Sequence, residues 1–207
     1  MEIELKYSIE DDSIIRSIME DRILTSIEKK NSRETLAMHA VYFDTADGDL
    51  RKNHIAFRIR LEGSRYIATL KRRSTAEAGL HWREEINAPV TDHDFIENPS
   101  ISIFSGDELI DDISAEIKDR KLIPVIEMNF AREEFRIDYK GSIMEVSVDQ
   151  GDIITANGSC PICELEIELY SGSEEDLVKL GKQLQKSYDL KEENISKYAR
   201  GLALLGE

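Results

Sequence analysis

Only two cysteines, four prolines and one tryptophan occur among the 207 residues of this chain. Two thiols cannot build a disulfide framework, and a chain of this length buries a core without covalent staples. Four prolines and eleven glycines exclude collagenous and low-complexity classes. No stretch approaches the roughly 18 consecutive apolar residues of a membrane span. The opening Met1-Glu2-Ile3-Glu4 lacks the basic-then-apolar plan of a secretory signal, so a cytoplasmic protein is expected. There is no Gly-x-x-x-x-Gly-Lys-Ser/Thr loop and no Gly-x-Ser-x-Gly elbow, which disfavours P-loop nucleotide hydrolysis and serine hydrolase chemistry. Cys160-Pro161-Ile162-Cys163 has the spacing of a redox dithiol or half a zinc site. No second cysteine pair exists, however, and His39, His54, His81 and His93 show no zinc-ligand spacing.

Basic charge is also in deficit: 27 Lys+Arg against 42 Asp+Glu leave a net charge of −15. That balance argues against nucleic acid or an anionic membrane as partner. The deficit is uneven. Between Arg51 and Arg83 stand nine basic residues and only two acids, Glu62 and Glu77, whereas between Gly141 and Val178 stand nine acids and no Lys or Arg. The first segment suits anions and the second suits cations. Brought together in one fold, they would suit a polyanion carrying a divalent metal.

Period-2 alternation dominates the chain, in short runs bounded by turn residues. It predicts strands near 1–8, 34–44, 54–62, 65–73, 80–88, 122–130, 132–139, 142–149 and 161–170, enough for a barrel. Helical periodicity appears at 11–24, 107–119 (with Leu109, Ile110, Ile113 and Ile117), 173–187 and 194–204, and these helices are expected to cover the outside of the sheet. The stretch 87–106, with Pro89 and Pro99, is the least regular and is read as the boundary between two halves of one domain, 1–207.

Strand after strand puts its charges on one face. Glu2, Glu4 and Lys6 alternate with Ile3, Leu5 and Tyr7; Arg58 and Arg60 flank Ile59; Glu145, Ser147 and Asp149 alternate with Val146 and Val148; Glu164, Glu166 and Glu168 alternate with Leu165 and Ile167. In an open sheet such a face meets water. In a closed barrel with helices outside, it points into the lumen. Carboxylates at i, i+2, i+4 repel one another unless cations compensate them, and hard divalent cations prefer carboxylate and water oxygen. Arg and Lys opposite them would suit phosphate oxygens. Glu85 and Glu134, on the same face as Arg83 and Arg132, are expected as ion-pair partners in the lumen. Arg51, Lys52, Arg72 and Arg73 are expected in turns or pointing outward, and Glu174, Glu175 and Asp176 belong to a helix first turn behind Ser173.

Several of these segments, taken in order, resemble a known family. Glu2-Ile3-Glu4-Leu5-Lys6 is similar to the E-x-E-x-K signature of the CYTH domain, or triphosphate tunnel metalloenzyme, superfamily. Val41-Tyr42-Phe43-Asp44-Thr45, Ala56-Phe57-Arg58-Ile59-Arg60, Ala68-Thr69-Leu70-Lys71, Met144-Glu145-Val146-Ser147-Val148-Asp149, Cys163-Glu164-Leu165-Glu166-Ile167-Glu168-Leu169 and Ser196-Lys197-Tyr198-Ala199-Arg200-Gly201 agree. The resemblance implies an α+β fold: a closed antiparallel β-barrel of about eight strands, with a triphosphate tunnel and helices packed outside. It implies Mg²⁺ or Mn²⁺ as cofactor and a small-molecule triphosphate as substrate, in a monomer or homodimer. The segments look most like bacterial inorganic triphosphatases, whose C-terminal helical domain is not expected here. Carried over residue by residue, Glu2, Glu4, Glu166 and Glu168 are the implied metal ligands, with Glu164, Glu145 and Asp149 in supporting places. Lys6, Arg58, Arg60, Lys71, Arg83, Arg132, Lys197 and Arg200 are implied to clamp phosphates. Glu4, Glu168 and Lys6 stand nearest the chemistry, with Lys6 either orienting the attacking water or binding a terminal phosphate.

Rival readings are a class IV adenylyl cyclase, a thiamine or nucleoside triphosphatase, and a non-catalytic polyphosphate sensor. The first two need a base or ring pocket, to which Tyr42, Phe43 and Trp82 are the candidate contributors.

Overall fold

The computed structural model describes residues 1–117 and 120–206, apart from the side chains of Arg73, Ser74, His93 and Leu109. Its strands are β1 (Glu2–Ser8), β2 (Glu34–Thr45), β3 (Ile55–Glu62), β4 (Arg65–Glu77), β5 (Leu80–Val90), β6 (Leu122–Tyr139), β7 (Ser142–Thr155), β8 (Gly158–Ser171) and β9 (Lys191–Glu192). Its helices are α1 (Ile15–Met19), α2 (Arg22–Ser26), α3 (Asp49–Lys52), α4 (His93–Glu97), α5 (Glu108–Ile117), α6 (Glu174–Tyr188) and α7 (Lys197–Leu205). The end of the helix expected over 107–119 lies outside the described residues, as does the Arg73 side chain.

The strands run in the order β5-β4-β3-β2-β6-β7-β8-β1, and β1 pairs back onto β5, so eight antiparallel strands close a barrel, with β9 added beside β1. Tight hairpins make the closure possible. Ala78-Gly79 and Lys140-Gly141 are two-residue loops with positive φ at both positions (51° and 76°; 57° and 89°), the backbone twist that matches flanking strands.

Apolar side chains leave the barrel wall in two outer clusters. Leu5, Tyr7, Phe135, Val146, Leu165 and Ile167 pack with Ile18, Met19 and Leu24 and with Leu177, Leu180 and Leu184 of α6. Phe57, Ile59 and Leu70 pack with Ile101, Phe104 and with Ile110, Ile113 and Ile117 of α5. Ile101 and Phe104 thus tie the irregular 87–106 stretch to the barrel, and β5 itself continues to Val90.

A third cluster departs from the expected plan. Met38, Ala40 and Tyr42 stand opposite lumen-facing positions of β3, and with Ile126, Met128, Phe130, Ile153 and Ile162 they pack against Tyr198 and Leu202 of α7. That helix covers the inward face at one end of the barrel rather than the outside. Its position explains why β6 reads as two strands in the sequence but is one of 18 residues. Apolar residues occupy the inward face at Ile126, Met128 and Phe130, then the outward face at Phe135 and Ile137, so the alternation changes phase without a turn. The single helix expected at 11–24 is likewise divided. The Asp21 carboxylate accepts from the Ile23 and Leu24 backbone N–H groups at 2.8 and 3.2 Å and starts α2 afresh.

Candidate active site in the barrel lumen

Cross-strand register gathers the charged residues. Glu4 stands opposite Glu168, Lys6 opposite Glu166, Glu145 opposite Glu168, Asp149 opposite both Glu164 and Arg132, Glu2 opposite Arg83, and Lys71 opposite Glu85. Directly opposed residues share a face, so these side chains enclose one cavity of ≈ 840 Å³. Every residue implied by the resemblance lines it except Glu164 and Arg200, which pair with each other, Glu164 also pairing with the lining residue Lys197.

The acids fall into two populations. Asp149, Glu164 and Glu166 are saturated with cations. Lys197 Nζ lies 2.7 Å from Glu164, 2.7 Å from Glu166 and 2.9 Å from Asp149. Arg132 donates two 2.7 Å hydrogen bonds to Asp149 and one of 2.7 Å to Glu166, while Lys6 Nζ is 2.6 Å from Glu166. Burial alone would raise the Glu166 carboxyl, but Lys197, Lys6 and Arg132 hold it well below the usual carboxylate range.

Glu2, Glu4, Glu145 and Glu168 form the other population. Burial, reinforced by Glu2, Glu4 and Glu145, pushes Glu168 up to about 8. Glu2 is also raised, by burial first, with Lys71 opposing and Glu4 and Glu85 adding. Glu4 stays below its ordinary value because Lys6, Arg83 and Lys71 outweigh its burial and Glu166. Its Oε1 sits 2.8 Å from Arg83 Nη2 and 3.3 Å from Lys6 Nζ, yet is hydrogen-bonded to neither, and Glu2 Oε2 also lacks a hydrogen-bond partner.

On the basic wall, the Nε atoms of Arg58, Arg60 and Arg83 are buried without a hydrogen-bond acceptor. Burial, with Arg58 beside it, pulls Arg60 down to about 10 despite Glu62 at 3.1 Å. These are donors short of acceptors.

Several sequence expectations are corrected by contacts. Glu85 does pair, with Lys71 at 2.5 Å, but Glu134 does not pair with Arg132, whose guanidinium goes to Asp149 and Glu166. Glu134 is pushed up to about 7 by burial and Glu145. Arg72 pairs with Glu84 and Asp107, each at 2.9 Å, and both Arg51 and Arg72 are among the residues that line the cavity. Phe43 packs on Phe57, and Trp82 Nε1 donates to Glu174 at 2.9 Å, so of the expected ring contributors only Tyr42 reaches the lumen, stacked on Tyr198 at 4.8 Å. Cys160 and Cys163, three apart on β8, fall on opposite faces of the strand, which prevents the thiols from meeting. His81, weighed in the sequence only as a zinc ligand, stands in the same i, i+2, i+4 series as Arg83 and Glu85 and opposite Glu4.

A family model described as the CYTH domain matches residues 1–202. This chain belongs to the CYTH domain family. An inorganic triphosphatase of Haemophilus influenzae is 30% identical over 203 residues, 98% of this CYTH domain chain and 54% of that protein, so the chain spans about half the length of the relative it matches. Two solved structures share the fold. One is a putative adenylyl cyclase from Hippeastrum described as having a dominant triphosphatase activity (TM-score 0.68, 21% identity, 98% of this chain and 96% of that one). The other is a putative adenylate cyclase from Bacillus halodurans (TM-score 0.58, 20% identity, 95% and 94%). No helix among the described residues is long and apolar enough to cross a membrane.

A divalent cation is implied for a CYTH domain, and the lumen donors fit one. They are all oxygens, three buried carboxylate oxygens (Glu2 Oε2, Glu4 Oε1 and Glu85 Oε2) lack hydrogen-bond partners, and burial together with neighbouring carboxylates raises the Glu168 carboxyl to about 8. Among the described residues no group of three His, Cys, Asp or Glu side chains is already gathered to hold a metal ion.

Proposed function

We propose that this CYTH domain, working as a single tunnel domain over 1–207, hydrolyses inorganic tripolyphosphate to pyrophosphate and phosphate with Mg²⁺ or Mn²⁺. The observation that carries the reading is the mismatch across one cavity. Three buried guanidinium Nε atoms without hydrogen-bond acceptors share the cavity with Glu2 and Glu4 oxygens without hydrogen-bond donors, and a metal-bound polyphosphate would satisfy both.

Phosphoryl transfer depends on positioning and charge neutralisation more than on covalent chemistry. Arg58, Arg60 and Arg83 would donate to non-bridging phosphate oxygens, with Lys71 beside them. Glu2, Glu4 and Glu168, with Glu145 next to Glu168, would hold the cation. When bound, the cation neutralises charge on the phosphate oxygens and lowers the barrier to attack by water. Glu168 and Glu4 would also orient that water and receive its proton, and Lys6, held between Glu4 and Glu166, would keep both carboxylates in place. Arg132, Lys197 and Arg200 have their charge committed to Asp149, Glu164 and Glu166, and would form the rigid floor on which the phosphate clamp rests.

One feature favours a nucleotide as second reading: the Tyr42–Tyr198 stack is an aromatic surface at the edge of the same cavity. Phosphate release from tripolyphosphate, ATP and thiamine triphosphate, with cyclic AMP assayed in the ATP sample, separates the readings. Preference for tripolyphosphate without cyclic AMP is expected. Cyclic AMP would overturn it in favour of a cyclase, and tight binding without turnover would make the domain a sensor.

Arg60→Ala tests the clamp. Loss of one charge-assisted donor set is expected to raise KM for tripolyphosphate about tenfold with a smaller change in kcat. Steady-state kinetics identical to wild type would place Arg60 outside the substrate's reach.

A further inference from the structure

His81 is buried (1% exposed) on the inward face of β5, directly across from Glu4. Both ring nitrogens are engaged. Nε2 lies 2.7 Å from the Glu193 backbone carbonyl, and Nδ1 lies 3.3 Å from Arg83 Nη2. A carbonyl only accepts and a guanidinium only donates, so Nε2 carries the proton, Nδ1 offers its lone pair, and the ring is neutral.

We propose that His81 is a positioning residue that selects which edge of the Arg83 guanidinium the substrate meets. The assignment rests on the triphosphatase reading only for its kinetic consequence. Arg83 is surrounded by acids: Glu4 Oε1 is 2.8 Å from its Nη2 and Glu2 Oε2 is 3.5 Å from its Nε. Left to electrostatics, the guanidinium would rotate into a two-pronged pair with one of them, and its donors would be spent. The imidazole prevents this by accepting the Nη2 hydrogen. Glu4 keeps close ionic contact without a hydrogen bond, and Nε of Arg83, a residue that lines the cavity, stays without a hydrogen-bond acceptor. A third carboxylate at position 81 would hold Arg83 equally well but would cancel its charge. A neutral acceptor fixes the direction and leaves the charge for an anionic guest.

The second nitrogen keeps the ring from turning over. Its partner, Glu193, lies in a segment bonded twice more to this seam: Glu193 N–H donates to the Lys6 carbonyl at 3.0 Å and Asn194 Oδ1 accepts from Gly79 N–H at 2.8 Å. The same segment leads into Ser196, the cap of α7, and Lys197. His81 thereby places Arg83 on a support shared with Lys6 and Lys197.

Two near-isosteric substitutions separate the two contacts. His81→Gln retains a donor in the place of Nε2 and loses the acceptor for Arg83; His81→Asn retains an acceptor in the place of Nδ1 and loses the tie to Glu193. His81→Gln is expected to raise KM for tripolyphosphate about tenfold, with kcat within about threefold of wild type and an unchanged circular dichroism spectrum. His81→Asn is expected to recover most of that loss. On an Arg83→Ala background His81→Gln should add nothing further. Equal impairment by both substitutions, or a full additional effect without Arg83, would make His81 a structural filler and overturn the proposal. Nitrogen-15 NMR of the wild-type protein gives a readout independent of turnover: Nδ1 is expected as an unprotonated acceptor, and a protonated Nδ1 overturns the assignment. Wild-type silence on tripolyphosphate would count against the hydrolytic reading alone.

Discussion

Lys197→Met is expected to destabilise the barrel by about 3–5 kcal/mol, the usual consequence of stripping the counter-ion from buried charge. Lys197 is 9% exposed, and its Nζ is within 2.9 Å of Asp149, Glu164 and Glu166. Burial opposes its charge, but those three carboxylates outweigh burial and hold its pKa well above the ordinary lysine value. Methionine fills a similar volume on α7 but leaves the acids to Arg132, Lys6 and Arg200 alone. For a chain of this size the melting temperature should fall by roughly 6–20 °C at pH 7. The deficit should shrink in acid. Glu166 and Asp149 have folded-state pKa values below their ordinary 4.5 and 3.8, so their pairing stabilises the native state above those values and is lost as pH falls through the folded ones. Wild type and variant should therefore converge at low pH in thermal unfolding. An unchanged midpoint at pH 7 would show that Lys197 is not the counter-ion of this triad.

Glu168→Gln should do the opposite to stability and remove activity. The Glu168 carboxyl is raised from 4.5 to about 8, so the folded chain binds a proton that the unfolded chain releases. Native stability from this group is complete below pH 4.5 and is lost as pH rises through about 8. The cation-free barrel should therefore melt lower as pH rises across that window, and Glu168→Gln, which cannot ionise, should melt higher than wild type at its alkaline end. Mg²⁺ or Mn²⁺ binding to wild type must displace the proton, so apparent affinity should rise with pH up to about 8 and then level off. Calorimetry in buffers of different ionisation enthalpy would detect that proton. Turnover of tripolyphosphate by Glu168→Gln should fall by at least about a hundredfold, the scale on which loss of a ligand or key electrostatic group is felt. A variant that kept wild-type turnover and a proton-independent cation affinity in wild type would each remove Glu168 from the cation site.

Much of this was legible in one dimension because a strand has a strict period of two. Glu2-x-Glu4-x-Lys6 and Glu164-x-Glu166-x-Glu168 announce a charged face and an apolar one wherever the strands end up, and the apolar residues opposite require helices to cover them. The same periodicity misled at β6, where Met128 and Phe130 face inward and Phe135 and Ile137 outward. Phase is readable from sequence only while one face is covered along the whole strand, and α7 covers the other face at one end. Arg132 and Glu134 show a second limit. They share a face two residues apart, which suggests a pair, yet Asp149 on β7 and Glu166 on β8 compete successfully for the guanidinium. His81 suggested nothing beyond a rejected zinc ligand because histidine on an alternating strand carries no sign of its partners.

The sequence by itself determined the alternation, the tight turns and the segregation of basic and acidic residues into separate stretches, because these depend on spacing and composition along the chain. Only the tertiary structure decided which acids are held ionised by surrounding cations and which are raised by burial among other acids. Glu166 and Glu168 are two residues apart on one strand with the same side-chain chemistry, yet one is held well below the carboxylate range and the other is pushed to about 8. The difference comes from what closure of the barrel brings across to each: Lys6, Arg132 and Lys197 to the first, Glu2, Glu4 and Glu145 to the second. Coulomb energy depends on distance in space and on burial, neither of which is written in the order of residues.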